Sequence, residues 1–297
     1  MAKWSGKSRG GEFGYKFFIY LLKYTNIKLT YFFLRFVAFY FLFASDKSAI
    51  RFYFTEILNY KGVKVIISIY KNYYLLGQVL IDKVAVLAGV SSKFTFDFDG
   101  ESHLRKMVED NNGGLLLGAH MGNWEVAGQL LKRLDVKINV VMYEAEHEKI
   151  KALIDKNTVE SNTNIIAIKN DFTHITAIQE AFENNELVVM HADRFVKGTN
   201  TAVMDFMNHK AEFSTSPIYL ASKHNVPVSY VYALKESSTH YHFFASEGKY
   251  YKYPSKIKQR KEDLKIMLQD YTNSLETIIN KYPLQWFNYY PFWENQK

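Results

Sequence analysis

Short apolar runs alternate with longer amphipathic stretches over the C-terminal two thirds of the chain. The run at 115–117 is bounded by glycines, which is typical of a buried strand in a parallel sheet. The amphipathic pattern that follows it, at 124–134, predicts a helix. Further strands are predicted at 136–142, 165–168, 186–190, 226–232 and 241–244, and further helices at 144–157, 176–182, 218–223 and 264–281. This alternation predicts an α/β fold, with a mixed, largely parallel central sheet flanked by helices.

The segment that precedes these strands has a different pattern. Apolar residues recur at near-helical spacing, so residues 46–95 are predicted to be mostly helical, with breaks at Gly62 and Gly77. Residues 94–98 alternate as in a strand, and a short polar helix is expected at 102–110. The tyrosines at positions 60, 70, 73 and 74 have two interpretations, since they suit either an acyl-chain groove or ordinary core packing.

The N-terminus combines a basic flank with a long aromatic run. Residues 1–28 hold six basic residues and one acidic residue, and the apolar run at 29–45 is interrupted only by Arg35. A membrane helix needs roughly 17–25 residues, and an arginine near the interface can keep its charge in water. We therefore expect a membrane-associated helix, although a buried helix of a soluble domain has the same pattern. The chain then divides into a basic N-terminus with this helix, 1–45, and a single α/β domain, 46–297.

Composition narrows the class of protein. The 297 residues include 37 Lys and Arg against 30 Asp and Glu, a formal net charge of +7, and 16% aromatic residues. A basic and aromatic-rich chain suits either nucleic acid or an anionic membrane surface. The sequence has no RNA-binding signature and no cysteine, so neither zinc fingers nor disulfides are available. The membrane surface is therefore the expected partner, and nucleic acid is not.

The strand at 115–117 leads into a tight turn that carries candidate chemistry. His120 follows the strand, Asn123 is suited to cap the next helix, and Glu125 falls in its first turn. Open α/β sheets bind their ligands at the carboxyl ends of strands. A neutral histidine there can accept the proton of a hydroxyl that attacks an acyl carbonyl, and a carboxylate on its other ring nitrogen fixes the tautomer. We therefore predict His120 as a general base oriented by Glu125.

The stretch His-Met-Gly-Asn-Trp-Glu at 120–125 resembles the His-x4-Asp/Glu motif of glycerolipid-type acyltransferases. In detail it is similar to the late lipid A acyltransferases of Gram-negative bacteria, as is the Pro-x-Gln-Trp at 283–286. The resemblance implies a membrane-associated enzyme at the cytoplasmic face of the inner membrane. Such an enzyme moves a fatty acyl group from acyl carrier protein or acyl-CoA to a lipid acceptor. It implies no cofactor and no metal, with Asn123 near the substrate.

The strand at 186–190 ends in a second polar group, His-Ala-Asp-Arg. The resembling family has an acid-containing motif here, which implies substrate-binding roles for Asp193 and Arg194. Arg194 suits an anionic head group, a phosphopantetheine phosphate or a developing oxyanion, or equally an ion pair that stiffens the loop. Lys169 and Asp171 occupy a place where the family often has a basic residue and an acid, so Lys169 is a further candidate for substrate binding.

Two other classes of function remain open from the residues alone. A non-catalytic membrane protein that binds lipids or partners would keep the same fold without using His120 and Glu125. A metal-dependent hydrolase would use imidazole and carboxylate ligands, for which His120, Glu125, His191 and Asp193 are the candidates. Their spacing matches no recognised metal motif, so no metal ligand is predicted. The acceptor also stays open between a lipid A precursor, an aminolipid and another alcohol or amine.

Overall fold

The computed structural model describes residues 18, 20–21, 24–87, 94–123, 126, 134–143, 163–169, 171, 173–195 and 198–293. The helices are α1 (Ile27–Ala44), α2 (Ser48–Phe52), α3 (Val63–Leu87), α4 (Glu101–Glu109), α5 (Thr173–Glu183), α6 (Ser216–His224) and α7 (Arg260–Lys281), with a π-helical turn at Tyr53–Ile57. The strands are β1 (Thr95–Asp99), β2 (Gly114–Gly118), β3 (Ile138–Tyr143), β4 (Thr163–Ile168), β5 (Leu187–His191), β6 (Thr201–Phe206), β7 (His209–Ser214), β8 (Val228–Lys235) and β9 (His240–Ala245). The helices predicted at 124–134 and 144–157 lie largely outside the described residues.

Seven strands form one central sheet in the order β1-β9-β8-β2-β5-β3-β4. β8 and β9 pair antiparallel, and the other neighbouring strands of this sheet pair parallel. β6 and β7 form a separate antiparallel hairpin. The predicted α/β fold with a mixed, largely parallel sheet is therefore confirmed. β2 and β5 lie in the middle of the sheet, so their carboxyl ends are well supported from both sides.

The apolar run of β2 is buried on both faces, as its sequence predicts. Leu115 and Leu117 join a large hydrophobic cluster that includes α7, whereas Leu116 joins a smaller cluster with Leu104 and Met107 of α4. All three leucines of the strand have no exposed surface. Helices on both sides of the sheet therefore explain why a strand with no polar face is stable here.

Helix α1 packs along α3 and buries only one of its faces. The predicted aromatic helix is observed at Ile27–Ala44, with a mean hydropathy of 1.6 and 28% of its residues buried, and by length and composition it is able to cross a membrane. Its exposed residues include Leu29, Phe32, Phe33, Phe36, Phe39, Tyr40 and Phe43. Arg35 is also exposed. The exposed aromatic face of α1, defined by these seven apolar residues, is a large apolar surface that water disfavours.

The two glycines expected to break the N-terminal helices behave differently. Gly62 has φ +54° and lies directly before α3, so it does separate two helices. Gly77 lies inside α3, and the break predicted there is wrong. A Cβ atom at Gly77 would lie 2.6 Å from a methyl carbon of Leu34, so this glycine lets α1 approach α3 closely. Close helix packing, rather than termination, explains the residue.

The tyrosines before β1 mostly contribute to packing. Tyr60, Tyr70 and Tyr73 pack partly buried against the main hydrophobic cluster, and Tyr74 packs against the cluster that contains α1. The hydroxyl of Tyr73 accepts a hydrogen bond from Ser45 at 2.9 Å. These contacts favour the core-packing interpretation over an acyl-chain groove.

An aromatic cluster fixes the C-terminal segment beneath the carboxyl end of the sheet. The fully buried Trp286 contacts Tyr53 and Phe206 edge-on, and Trp293 stacks on both of those rings. The hydroxyl of Tyr53, in the π-helical turn, donates to the carbonyl of Pro283 at 3.0 Å. Edge-on and stacked aromatic contacts are directional, so the indole of Trp286 has a fixed orientation.

Candidate active site

The strand register brings together two side chains that are distant in the sequence. Gly118 at the end of β2 pairs with His191 at the end of β5. His120 and Asp193 each lie two residues beyond this pair, and their side chains meet. Nδ1 of His120 lies 2.7 Å from Oδ1 of Asp193, although 73 positions separate the residues. The site is therefore assembled by adjacent parallel strands and not by neighbouring residues.

The Asp193 carboxylate is held by three donors. Oδ1 accepts from Nδ1 of His120, and Oδ2 accepts from the backbone N–H of His120 and from the indole N–H of Trp286, both at 3.0 Å. The Tyr290 hydroxyl donates to the backbone carbonyl of Asp193 at 2.8 Å. Only 1% of the Asp193 side chain is exposed, against 19% for His120. The carboxylate is thus rigid and dry, while the imidazole reaches the surface.

The charge state of Asp193 fixes the tautomer of His120. Burial by itself would raise the pKa of Asp193, but His120, Arg194 and His191 favour the carboxylate and hold this pKa well below its usual range. An ionised carboxylate can only accept hydrogen bonds. Nδ1 of a neutral His120 must therefore carry the proton, and Nε2 carries the lone pair. This is the arrangement that a general base requires.

His191 lies beside the pair as a second imidazole. Its ring centroid is 4.5 Å from that of His120, in an edge-on arrangement. Burial lowers the pKa of His191 to about 3, and His120 and Arg194 contribute in the same direction. His191 is therefore neutral at physiological pH and places no second positive charge next to His120.

The turn after His120 has no room for a side chain at Gly122. This residue has φ +64°, and a Cβ atom there would lie 1.9 Å from the carbonyl oxygen of Ala233. Its N–H donates to the carbonyl of Gln285 at 3.1 Å, and the N–H of the next residue, Asn123, donates to Ala233 at 2.7 Å. The N–H of Phe287 closes the turn by donating to the carbonyl of His120 at 2.9 Å. β8 and the C-terminal segment therefore clamp the turn from two sides.

The residues expected to act with His120 have different positions. Asp193 occupies the position on Nδ1 that the sequence assigned to Glu125; Glu125 itself lies outside the described residues. Asn123 is fully buried, and its amide group donates to the carbonyl of Val79 and to the hydroxyl of Tyr241, both at 3.2 Å. Its Oδ1 accepts from the N–H three residues later, as the predicted helix cap requires. These contacts give Asn123 a structural role.

The two basic candidates lie at different distances from the pair. Arg194 donates to the carbonyl of Phe287 at 2.7 Å, and its guanidinium carbon lies 5.7 Å from the ring centre of Tyr290. It is therefore adjacent to Asp193 and the C-terminal segment. Lys169 is exposed after β4, three strands from β2 in the sheet order. Three strand spacings correspond to about 14 Å, so the structure does not bring Lys169 into contact with His120.

Two hydrogen-bond donors to Asp193 were not predicted from the sequence. Neither Trp286 nor Tyr290 had a predicted role at the site, yet both donate hydrogen bonds to Asp193. The signal was the Pro-x-Gln-Trp of the C-terminal segment, in which a buried indole N–H needs an acceptor. Among the described residues, no group of three or more His, Cys, Asp and Glu side chains has an arrangement suited to a metal ion.

Comparison with known proteins identifies the family. Among solved structures, the chain is similar to the 1-acyl-sn-glycerophosphate (LPA) acyltransferase PlsC from Thermotoga maritima, at 12% identity and a TM-score of 0.39. The alignment covers 84% of this chain and 97% of that chain. No match was found among curated protein sequences. A family model described as bacterial lipid A biosynthesis acyltransferase matches residues 65–294, a span that contains His120, Asp193 and Trp286. Because this match covers well over half of the chain, the protein belongs to the bacterial lipid A biosynthesis acyltransferase family and is an acyltransferase that acts on a lipid-like acceptor.

Proposed function

We propose that His120 is the general base of a membrane-associated enzyme that moves a fatty acyl group from a thioester to a lipid-like acceptor. The donor is acyl carrier protein or acyl-CoA, and the reaction takes place at the cytoplasmic face of the inner membrane. The observation that carries the proposal is the 2.7 Å contact between His120 and the ionised Asp193, which leaves the Nε2 lone pair available.

In the proposed reaction, Nε2 of His120 takes the proton from the hydroxyl or amine of the acceptor as that group attacks the thioester carbonyl carbon. The tetrahedral intermediate collapses, the carbon–sulfur bond breaks, and the leaving thiolate takes the proton back from the imidazolium. The products are the acylated acceptor and a free thiol. Asp193 stays ionised throughout and stabilises the imidazolium.

Arg194 is proposed to interact with a negatively charged group of the donor or of the reaction intermediate. Its fixed hydrogen bond to Phe287 and its position over Tyr290 hold the guanidinium beside the pair. A positioned cation there would stabilise the oxyanion or bind a phosphate of the donor. Lys169, exposed at the same edge of the sheet, suits a more distant anionic group of the substrate. Because Asp193 occupies Nδ1 of His120, the role proposed for Glu125 is that of a second carboxylate, which acts with the pair or on the acceptor.

The membrane part of the proposal rests on the exposed aromatic face of α1. Phe36 and Phe43 are 62% and 69% exposed, and Arg35 beside them is able to reach the interface. The basic flank at 1–28 adds attraction to an anionic surface. A basic stretch at 252–260 is proposed to receive an acidic carrier protein, and Lys252, Lys256 and Lys258 in it are exposed.

The test of the general base compares His120→Ala with His103→Ala, a matched change at an exposed histidine on α4. The assay follows transfer of a radiolabelled myristoyl group from acyl carrier protein to a lipid extract of Gram-negative cells. A positioned base contributes about 10²–10⁴-fold, so His120→Ala should lose that factor in kcat while His103→Ala keeps the wild-type rate. Near wild-type turnover by folded His120→Ala would reject the proposal.

The role of Glu125 is tested in the same assay. If it acts with His120 as one unit, Glu125→Ala should cost as much as His120→Ala or less, and the double variant should be little worse than His120→Ala. Losses that multiply in the double variant would mean that Glu125 acts independently, for example on the acceptor.

A further inference from the structure

Four side chains form a buried polar network between α1, α3 and the β8–β9 hairpin: Tyr31, Asp82, Lys235 and Tyr241. Nζ of Lys235 lies 2.5 Å from a carboxylate oxygen of Asp82, and the hydroxyls of Tyr31 and Tyr241 both donate to the same carboxylate. The side chains of Asp82 and Lys235 are 0% and 2% exposed. The network therefore places an ion pair in the interior of the protein.

Stability alone does not explain this ion pair. Burial raises the pKa of Asp82 and lowers the pKa of Lys235, because the cost of removing each charge from water exceeds the attraction between them. Replacing such a pair by apolar residues of similar volume is often neutral or stabilising. An apolar contact at this position would stabilise the fold as well as the ion pair does. The residues that surround the pair indicate a different role for it.

The network continues by hydrogen bonds into the turn that carries His120. Gln285 brackets the backbone of Lys235, since its Oε1 accepts from the Lys235 N–H at 2.9 Å and its Nε2 donates to the Lys235 carbonyl at 2.7 Å. The carbonyl of Gln285 accepts the N–H of Gly122 at 3.1 Å. A second route runs from Tyr241, whose hydroxyl receives the amide of Asn123 at 3.2 Å.

The opposite end of the network lies on α1. Tyr31 is 4% exposed, on the buried face of the helix that carries the exposed aromatic face on its other side. Its hydroxyl contacts Asp82 of α3 and the carbonyl of Ser238 in the β8–β9 loop at 3.2 Å. Any displacement of α1 along α3 therefore moves a hydrogen-bond donor of the ion pair.

We infer that the buried polar network is a positioning device, through which the docking of α1 against α3 sets the geometry of the turn from His120 to Asn123. Tyr31, Asp82 and Lys235 are positioning residues: they touch no reacting atom and act through Gly122 and Asn123. The inference rests on the proposed role of His120 as the base. Its consequence is that turnover depends on how the apolar helix is seated, and so on the lipid surface that receives it.

The first test removes one hydroxyl from the network. Tyr31→Phe is compared with Tyr73→Phe, which removes a hydroxyl that also joins α1 to α3, through Ser45, but does not contact the network. Hydrogen-exchange mass spectrometry of the peptide that covers residues 119–123 reports the amides of Gly122 and Asn123. Tyr31→Phe should raise their exchange severalfold, and kcat should fall about tenfold at nearly constant KM, as expected for misplaced groups, whereas Tyr73→Phe should change neither. Equal behaviour of the two variants would overturn the inference.

The second test separates positioning from stability. Asp82→Leu combined with Lys235→Met removes both charges, while Tyr31 keeps its contact with Ser238 and Tyr241 keeps its contact with Asn123. This double variant should fold with an unchanged or higher Tm, yet its kcat should fall about ten- to hundredfold and its amide exchange at 119–123 should rise. Full turnover in the folded double variant would show that the network has no positioning role.

The exchange measurement keeps the two proposals distinguishable. If His120→Ala retained activity, the base assignment would fail, but exchange at Gly122 and Asn123 would still report whether the network holds the turn. If Tyr31→Phe left exchange unchanged while His120→Ala lost activity, His120 would remain the proposed general base. The positioning role of the buried polar network would then be rejected.

Discussion

At the scale of the residue, Asp193 determines what His120 can do. Its two oxygens are occupied by three donors, and its ionised state forces the proton of a neutral His120 onto Nδ1. A carboxamide in its place would present an N–H or a weaker acceptor and would allow the other tautomer. The general base therefore depends on a neighbour that is 73 positions away in the sequence.

We expect Asp193→Asn to lower kcat by about 10²–10⁴-fold, because Nε2 then spends much of its time protonated. Trp286→Phe removes one of the three donors and keeps an aromatic ring. It should lower kcat by roughly five- to tenfold, in line with about 1 kcal/mol for a lost hydrogen bond. Acyl transfer kinetics measured beside Tm checks both variants. A smaller loss in Asp193→Asn than in Trp286→Phe would contradict the central role of this carboxylate.

His191 gives a prediction about stability and pH. Its pKa is lowered to about 3 in the folded protein, whereas an unfolded histidine titrates near 6.5. Between these values the unfolded chain binds a proton that the folded chain does not. The free energy of unfolding should therefore rise with pH across this window, by up to about 1.4 kcal/mol per pH unit, and the contribution of His191 should be complete above about pH 6.5.

Urea unfolding between about pH 5 and 7 tests this slope, in a range above the usual titration of carboxylates. His191→Gln should flatten the dependence by the equivalent of up to one proton, relative to the matched control His103→Gln at an exposed site. Identical slopes in the wild type and in His191→Gln would mean that His191 is protonated to the same extent in both states.

At the scale of the element, the turn after β2 has no room for a side chain at Gly122 because β8 packs directly against it. Gly122 and Gly198 both have positive φ, of +64° and +93°. A Cβ at Gly122 would lie 1.9 Å from the oxygen of Ala233, whereas no atom of the described residues lies within 4 Å of one at Gly198.

Gly122→Ala should therefore move the backbone of the turn and displace His120. We expect a loss of kcat of at least about 10²-fold, as for misplaced catalytic groups, together with a lower Tm. Gly198→Ala meets the backbone cost alone, about 1 kcal/mol, and should keep nearly full kcat. Comparison of kcat and Tm for the two alanine variants isolates the effect of the steric contact with Ala233 of β8. Similar losses in both would show that backbone conformation, and not the contact with β8, is what matters.

At the scale of the whole molecule, the exposed aromatic face of α1 and the buried polar network lie on opposite sides of one helix. Removal of residues 1–45 would take away the membrane-facing surface, but also Tyr31 and Leu34, which are both buried. Loss of membrane binding after that truncation would not distinguish anchoring from damage to the core. Point changes on the exposed face are the cleaner experiment.

The combined change Phe36→Ser and Phe43→Ser should weaken sedimentation with vesicles of mixed neutral and anionic lipids by about ten- to hundredfold. Each change removes roughly 1.5–3 kcal/mol of apolar contact, and part of each ring stays in water. The matched control is Ile257→Ser with Ile266→Ser, two residues that are 81% and 65% exposed elsewhere on the molecule. Unaltered sedimentation of the phenylalanine variant in low and high salt would place the membrane contact on another surface.

The sequence by itself determined the family and most of the elements in the described residues. The glycine-bounded run of β2, the alternation of strands and helices and the aromatic run of α1 are local patterns, and local periodicity is enough to predict them. His120 and the likeness to lipid A acyltransferases were also evident, because a turn and its motif occupy consecutive residues. Local patterns did not suffice at Gly77, because glycine is favoured both at a helix break and at a close contact between helices. Only the position of Leu34 in the structure shows that the second explanation applies.

Only the tertiary structure decided which residues meet. Strand order and register are set by packing over the whole core, so the pairing of Gly118 with His191, which delivers Asp193 to Nδ1 of His120, has no signal within either strand. The indole of Trp286 and the hydroxyl of Tyr31 acquire their roles in the same way. Each is an ordinary aromatic position in the sequence, and becomes a specific hydrogen-bond donor because a buried polar atom needs an acceptor inside the protein.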